Sequence, residues 1–307
     1  MSFLIATPGR DSTELAASLR RLAPELDLRV WPDCGDRSEI RFVLAWNPPE
    51  QLFSELPGLR AVSSLGAGVD GLINRPDLDP AVQIGRLAGP RLAADLAAYL
   101  VAVTVEHWKR LDNFRDDQRA ARWHTRLPRP TPSIGLLGTG VMGRKTAGAF
   151  RALDLEVIGW NRSGAAAEGL EVHCGPDGLH QVAARSDVLI NLLPLTPDTR
   201  GMLDAALFQQ MPQDSLLINV GRGAHLNERD LLTALDSNQP GQAVLDVFEI
   251  EPLPQSHPFW THPNIRTTPH CAALSTADEV ARMALESYRR VIAGEPPLGE
   301  VDRERGY

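Results

Sequence analysis

The sequence predicts an α/β protein of two doubly wound domains, each a mostly parallel sheet with helices on both faces. Three observations predict it. Short apolar runs alternate with helical segments along the chain, the pattern of parallel strands joined by covering helices. The 307 residues are enough for two cores of ordinary size. A proline-rich stretch, residues 127–132, separates two such series. Hydrophobic content of 43% and charged content of 23% are ordinary for a globular protein. The net charge of −8 argues against nucleic acid as the main partner. No apolar run reaches the ~18 residues a membrane span needs. The start, MSFLIATPGR, has no basic stretch and its apolar run stops at Pro8-Gly9, so it reads as a first strand and not a leader. Cys34, Cys174 and Cys271 show no C-x-x-C spacing, which suits a reducing cytoplasm and no structural metal.

In chain order, the first series has strands near residues 3–6, 28–31, 41–44, 60–63 and 82–85, with helices near 12–22 and 49–56. The spacing suits a small flavodoxin-like domain. Residues 93–122 predict one long helix, apolar through Leu96, Tyr99, Leu100, Val103 and Val105, then polar along 112–122, a solvated face. The prolines of 127–132 end it. The second series has strands near 134–137, 155–160, 188–192, 215–220, 243–247 and 265–268, with a helix at 144–153 after the first. Residues 275–293 read as one last helix with no strand of its own to cover, so it is expected to return to the first domain. The domains are therefore expected at 1–95 with 276–307, and at 96–275. Their cleft would be the natural ligand site.

The second series opens on its most specific text. The strand at 134–137 runs into Gly138-Thr139-Gly140-Val141-Met142-Gly143, then a helix, then a second strand. In that order G-x-G-x-x-G marks a Rossmann dinucleotide-binding unit. Gly138 permits the tight turn, Gly140 lets backbone approach a pyrophosphate, and Gly143 lets helix and strand pack. The pyrophosphate meets free N–H groups and the positive dipole end at the helix start. The bland alternative is a glycine-rich turn in an α/β core. An acidic residue ending the second strand normally accepts the ribose 2′-OH of NAD. Here the text is Trp160-Asn161-Arg162-Ser163, without a carboxylate. Arg162 can offer a charge-assisted fork to a 2′-phosphate and Ser163 a hydroxyl, so NADP is expected over NAD. The alternative is a solvated Arg162, with Asn161 serving either cofactor.

Three later stretches put polar residues at strand ends, where open α/β sheets bind ligands. They are Asn219-Val220-Gly221-Arg222-Gly223, Asp246-Val247-Phe248 with Glu251-Pro252, and Thr268-Pro269-His270. An arginine, a carboxylate and a histidine so placed fit hydride transfer to a 2-keto acid. The substrate needs a fixed cation, its keto oxygen a proton, and the proton donor a partner that orients it. Arg222, His270 and Glu251 would supply these in turn. His257 and His262, in a proline-rich loop, and His107, His124, His173, His180 and His225 have no such context and read as structural or surface residues.

With these stretches, Ser64-Leu65-Gly66-Ala67-Gly68-Val69-Asp70 and Leu193-Pro194-Leu195-Thr196-Pro197-Asp198-Thr199-Arg200 complete a resemblance. Over essentially its whole length the chain resembles the D-isomer-specific 2-hydroxyacid dehydrogenases. It is most like their glyoxylate/hydroxypyruvate reductase A subgroup, through Trp46-Asn47-Pro48-Pro49, residues 160–163 and the text LPQSHPFW at 253–260. The resemblance implies reduction of small 2-keto acids to D-2-hydroxy acids. Arg222 would hold the substrate carboxylate and polarise the keto group. His270 would be the acid in reduction, and Glu251 would favour its protonated form. Leu65, Gly66, Ala67 and Gly68 would bind the carboxylate through backbone amides, with Trp46 bordering the pocket. Val141, Met142, Leu193, Pro194, Thr199, Val220, Gly221 and Asp246 would line the cofactor, with Asp246 at its carboxamide. The resemblance also implies a homodimer through the helix near 96–120. Formate dehydrogenases of the family have glutamine where Glu251 stands. Long phosphoglycerate dehydrogenases carry a regulatory domain beyond the last helix. Cys271 stands where serine or isoleucine is usual and reads as a packed cysteine. The rival from another class is a non-catalytic NAD(P)-sensing or corepressor-like protein on the same fold.

Overall fold

A computed structural model describes all 307 residues. The chain divides into two compact units, Met1–Pro90 with Ser275–Tyr307, and Arg91–Leu274. Its helices are α1 (Thr13–Leu22), α2 (Asp70–Ile73), α3 (Pro90–Lys109), α4 (Leu111–Arg119), α5 (Val141–Arg151), α6 (Gly175–Ala184), α7 (Ala205–Phe208), α8 (Glu228–Asp236) and α9 (Ala277–Ile292). None is long and apolar enough to cross a membrane.

The first unit is built on β1 (Ser2–Ala6), β2 (Asp27–Val30), β3 (Ile40–Ala45), β4 (Ala61–Ser64) and β5 (Gln83–Arg86), all parallel, in the order β2-β1-β3-β4-β5. Successive side chains point to opposite faces. Leu4, Ala6, Val43, Ala45, Val62 and Ile84 fill one core, and Phe3, Ile5, Phe42, Leu44 and Ala61 fill the other. Strands covered on both faces are apolar at most positions, hence the near-continuous runs of β1 and β3 in the sequence. The second core is closed by α1 and α9, with Val280, Ala281, Ala284 and Leu285 packed among its phenylalanines. A capping box starts α9: the Thr276 hydroxyl accepts the Glu279 amide at 3.4 Å and the Glu279 carboxylate accepts the Thr276 amide at 3.0 Å.

The second unit holds β6 (Ile134–Leu137), β7 (Val157–Trp160), β8 (Glu171–His173), β9 (Val188–Asn191), β10 (Leu216–Asn219), β11 (Gln242–Leu245) and β12 (Ile265–Thr267). They form one parallel sheet in the order β12-β11-β10-β9-β6-β7-β8. Its side chains also alternate between two cores. These are the two doubly wound sheets the sequence predicts. The strand order reverses between β6 and β9, so a crevice opens where Gly138 follows β6.

Two expected helices differ. Residues 49–56 form only a short 3₁₀ turn at Phe53–Glu55. In a helix the Phe53 amide would donate to the Pro49 carbonyl. Instead Asp77 accepts that amide at 3.1 Å and Arg75 donates to that carbonyl at 2.7 Å. The long helix of 93–122 is two, broken at Arg110, whose φ of 57° is left-handed. There the extended segment after α4 returns: Arg129 donates its amide to the Trp108 carbonyl at 2.9 Å and its Nε to His107 Nε2 at 3.1 Å. The helix after the glycines starts at Val141 and not at Arg144, and β7 starts at Val157 and not at residue 155. The short elements α2 and β8 were not anticipated.

Candidate active site

β10 is fully buried and delivers the turn Val220-Gly221-Arg222-Gly223 at its carboxyl end. Arg222 is half-buried and donates from Nη1 to the Gly221 carbonyl at 2.8 Å. A Cβ on Gly223 would lie 1.8 Å from the Phe248 carbonyl carbon and 2.2 Å from the Glu249 amide nitrogen. Only glycine lets the arginine turn press on the stretch that leads to Glu251. Behind the turn lie three side chains with no exposed surface, Asn191, Asn219 and His225. Sequence reasoning placed Asn219 in a strand-end stretch without a role, read His225 as structural or surface, and passed over Asn191. The available signal was a polar residue closing two neighbouring apolar strands, since Asn191 and Asn219 are register partners.

β11 and β12 deliver the second group. His270 has φ 51°, in the left-handed region that costs a non-glycine residue roughly 1–2 kcal/mol. Asp246, at the end of β11, holds that turn. Its carbonyl accepts the His270 amide at 2.8 Å. Its buried carboxylate accepts the Cys271 amide at 2.9 Å, the Ala272 amide at 3.0 Å and the Thr268 hydroxyl at 2.6 Å. Tyr99 of α3 meets that hydroxyl at 2.8 Å. Burial, followed by the Asp246 carboxylate, pushes the Cys271 thiol up, so it is a protonated, packed thiol.

His270 Nδ1 lies 2.7 Å from Glu251 Oε2, and Glu251 Oε1 accepts the Phe248 amide at 3.0 Å. Burial would raise the Glu251 carboxyl. The bonds from His270 and Phe248, with the charges of His270 and Arg222, outweigh it and hold Glu251 below the usual carboxylate range. The pair is thus a carboxylate facing Nδ1, on the side of the ring away from Nε2.

The glycine unit fits a dinucleotide for three separate reasons. Gly138 has φ 107°, closed to other residues. A Cβ on Gly143 would lie 2.0 Å from the Gly138 carbonyl oxygen. A Cβ on Gly140 would meet nothing within 4 Å: open space at the start of α5, where no side chain caps the helix and the first turn holds no acid. A phosphate at that start would take the uncapped N–H groups. Val141 is exposed beside it and Met142 packs toward the core. After β7, Asn161 is spent on its own turn, donating to Thr139 Oγ1 at 2.7 Å and accepting the Ala165 amide at 3.1 Å. Arg162 forms an exposed pair with Asp198 at 3.3 Å, and Ser163 is exposed next to it. In the loop after β9, Leu193 is buried and Pro194 half-buried. Buried Thr199 braces this loop, accepting the Thr196 amide at 2.9 Å and donating to the Pro194 carbonyl at 2.8 Å.

In the first unit, the loop Leu65-Gly66-Ala67-Gly68 follows β4 and is pinned by the Ser64 hydroxyl, which donates to the Gly68 carbonyl at 2.6 Å. Trp46 follows β3, and its ring would lie 3.4 Å from a Cβ on Gly66. The Arg10 guanidinium stacks over that ring at 4.2 Å.

Residues 101–272 match the family model described as D-isomer specific 2-hydroxyacid dehydrogenase, NAD binding domain. The chain is 36% identical to glyoxylate/hydroxypyruvate reductase A of Photorhabdus laumondii and 35% identical to that of Escherichia fergusonii, over 100% of both chains in each case. Among solved structures it is similar to a D-isomer specific 2-hydroxyacid dehydrogenase from Xanthobacter autotrophicus in complex with NADPH and MES. That likeness has a TM-score of 0.93 and 35% identity, and covers 100% of this chain and 99% of that one. An NADPH-dependent glyoxylate/hydroxypyruvate reductase from Sinorhizobium meliloti in complex with NADP and sulfate superposes with a TM-score of 0.92 at 32% identity, covering 100% of both chains.

Proposed function

Since this chain belongs to the D-isomer specific 2-hydroxyacid dehydrogenase family and is an NAD(P)-dependent enzyme of it, we propose that it reduces small 2-keto acids, glyoxylate and hydroxypyruvate first among them, to D-2-hydroxy acids with NADPH as the preferred cofactor. The observation that carries this reading is the His270–Glu251 pair with the charge of Arg222 acting on it. Arg222 binds the substrate carboxylate and draws electron density onto the keto oxygen. His270 holds the transferable proton at Nε2, because Nδ1 faces the carboxylate. Glu251 fixes the ring, with its carboxylate on Nδ1. The cofactor, when bound, supplies the hydride to the keto carbon. Gly138, Gly140 and the start of α5 hold its pyrophosphate.

The NADPH preference rests on Arg162 and Ser163 in place of a carboxylate. The Arg162–Asp198 pair is solvent-exposed, so it is worth no more than about 1 kcal/mol, and a phosphate dianion would displace Asp198. From the first unit, the Leu65–Gly68 backbone amides are assigned to the substrate carboxylate and Trp46 to the pocket wall. A cytoplasmic homodimer accords with this reading. The surface offered for it runs along α3 and α4, where Tyr99, Val103 and the half-exposed Leu111 line a groove. Sedimentation analysis tests that part.

The decisive experiment is steady-state kinetics on a panel of 2-keto acids with NADPH and with NADH. Turnover of glyoxylate or hydroxypyruvate with higher kcat/KM for NADPH is expected. A clear NADH preference overturns the cofactor assignment. No turnover on any 2-keto acid overturns the enzymatic reading and favours a dinucleotide sensor.

A further inference from the structure

Behind Arg222 lies a buried polar network whose bonds define the role of each atom. The Leu193 amide donates to Asn191 Oδ1 at 3.2 Å, which turns the nitrogen of that side chain the other way. Asn191 Nδ2 then donates to Asn219 Oδ1 and to His225 Nδ1, each at 2.9 Å. Asn219 Oδ1 also accepts the Gly221 amide at 3.2 Å, and Asn219 Nδ2 donates to the Arg222 carbonyl at 3.0 Å. The Arg222 amide donates to His225 Nδ1 at 3.1 Å. On the opposite side of the ring, Nε2 faces the Pro194 carbonyl at 3.2 Å. A carbonyl can only accept, so Nε2 carries the hydrogen, and Nδ1, facing two donors, is the acceptor. Gly221 is part of the fit. A Cβ there would lie 2.8 Å from Asn191 Nδ2 and 3.1 Å from His225 Nδ1.

We propose that His225 is a positioning residue that couples the substrate arginine to the cofactor loop. Its Nδ1 holds the backbone from which Arg222 projects, and its Nε2–H holds the loop of Leu193 and Pro194. Movement of that loop on dinucleotide binding is passed through a rigid ring to the Arg222 turn. The proposal rests on the assignment of Arg222 to substrate and of the 193–194 loop to cofactor. It adds a thermodynamic link between them: bound NADP raises the affinity of the Arg222 site for a carboxylate, and the reverse by the same factor.

The test separates the two ends of the ring. In His225→Asn the carboxamide oxygen takes the place of Nδ1, keeping the acceptor for the Arg222 amide and losing the reach to Pro194. In His225→Gln the longer side chain reaches the Pro194 carbonyl and gives up the Nδ1 acceptor. Calorimetry measures binding of NADP alone, of oxalate alone, and of oxalate at saturating NADP. Glyoxylate kinetics run alongside. In the unsubstituted protein NADP is expected to tighten oxalate. In His225→Gln oxalate binding and the glyoxylate KM should worsen by ~3–10-fold, the worth of one hydrogen bond, with NADP affinity within twofold. In His225→Asn the loss should fall on NADP instead. In both, the tightening of oxalate by NADP should shrink toward one. An unchanged tightening factor, or equal losses of both affinities in both variants, overturns the proposal. Should neither variant fold, histidine ¹⁵N spectra of the unsubstituted protein decide it, and a His225 ring protonated on Nδ1 sinks it. Absence of turnover in the unsubstituted protein defeats the enzymatic reading, while oxalate and NADP binding still judge the coupling.

Discussion

The two turns that carry the residues assigned above to the chemistry, Arg222 and His270, are held by opposite means. The Arg222 turn rests on a neutral network of two asparagines and an imidazole with no exposed surface. The His270 turn rests on a single buried carboxylate, Asp246, which gathers donors from Thr268, Cys271 and Ala272. Removing one node of the distributed network leaves the bonds among the others: without Asn219, Asn191 still meets His225 and His225 still holds the Arg222 amide. The hub loses all three of its side-chain bonds at once. The hub stands where the backbone is strained, at the φ of 51° of His270, and a charged acceptor offers the stronger bonds needed there. The arginine turn is eased by Gly221 and Gly223 and can be held by weaker, neutral bonds.

The largest expected effect comes from removing the group that the hub serves. His270→Ala should lower kcat by ~10²–10⁴, the usual share of acid–base catalysis, with NADPH affinity retained. Near-normal turnover would break the assignment. Next comes the hub itself. Asp246→Ala leaves the Cys271 and Ala272 amides without their acceptor and the Thr268 hydroxyl with Tyr99 alone, so urea unfolding should show a loss above ~2 kcal/mol. Asn219→Ala, removing one node of the network, should cost less, and an equal loss would erase the contrast between hub and network.

The third test concerns pH. The proposed reduction consumes one proton overall and the oxidation of the D-alcohol releases one, so acid pH should favour reduction and alkaline pH oxidation. The Glu251 carboxyl is lowered on folding, so its ionised form contributes stability above the ordinary carboxylate range. That contribution is lost as pH falls through the folded value. The stability gap between the native chain and Glu251→Gln should therefore be widest near neutrality and close on acidification. A gap that does not depend on pH counts against the pair. The smallest effect belongs to Tyr99→Phe, which removes one bond to Thr268 at the edge of the hub. It should cost no more than ~1 kcal/mol and leave kcat within about twofold, since Thr268 still reaches Asp246.

Much of this was legible in the sequence, for identifiable reasons. A strand buried on both faces is easily seen, because nearly all of its residues are apolar, so the runs that became β1, β3, β6, β9 and β10 are readable directly. The glycines of 138–143 are legible because spacing itself encodes the geometry. Arg222, Glu251 and His270 stand out as polar text at strand ends. What stayed illegible depends on partners distant in sequence. The helix expected at 49–56 fails because Arg75 and Asp77, some twenty residues on, take both ends of its first hydrogen bond. His225 reads as an idle histidine until Asn191 and Pro194 are brought beside it by a crossover of thirty residues. Its polar partners emerge only from the register of β9 with β10.

The placement of α9 bears on how the protein is made. The inner face of the first sheet is completed by Val280, Ala281, Ala284 and Leu285, the last large apolar group to be synthesised. Until those residues leave the ribosome, Phe3, Ile5 and Phe42 have only α1 to cover them on that side. Residues 91–274 can by then close both faces of their own sheet. Synthesis thus delivers the residues of the second unit's two cores before the helix that completes the second core of the first unit.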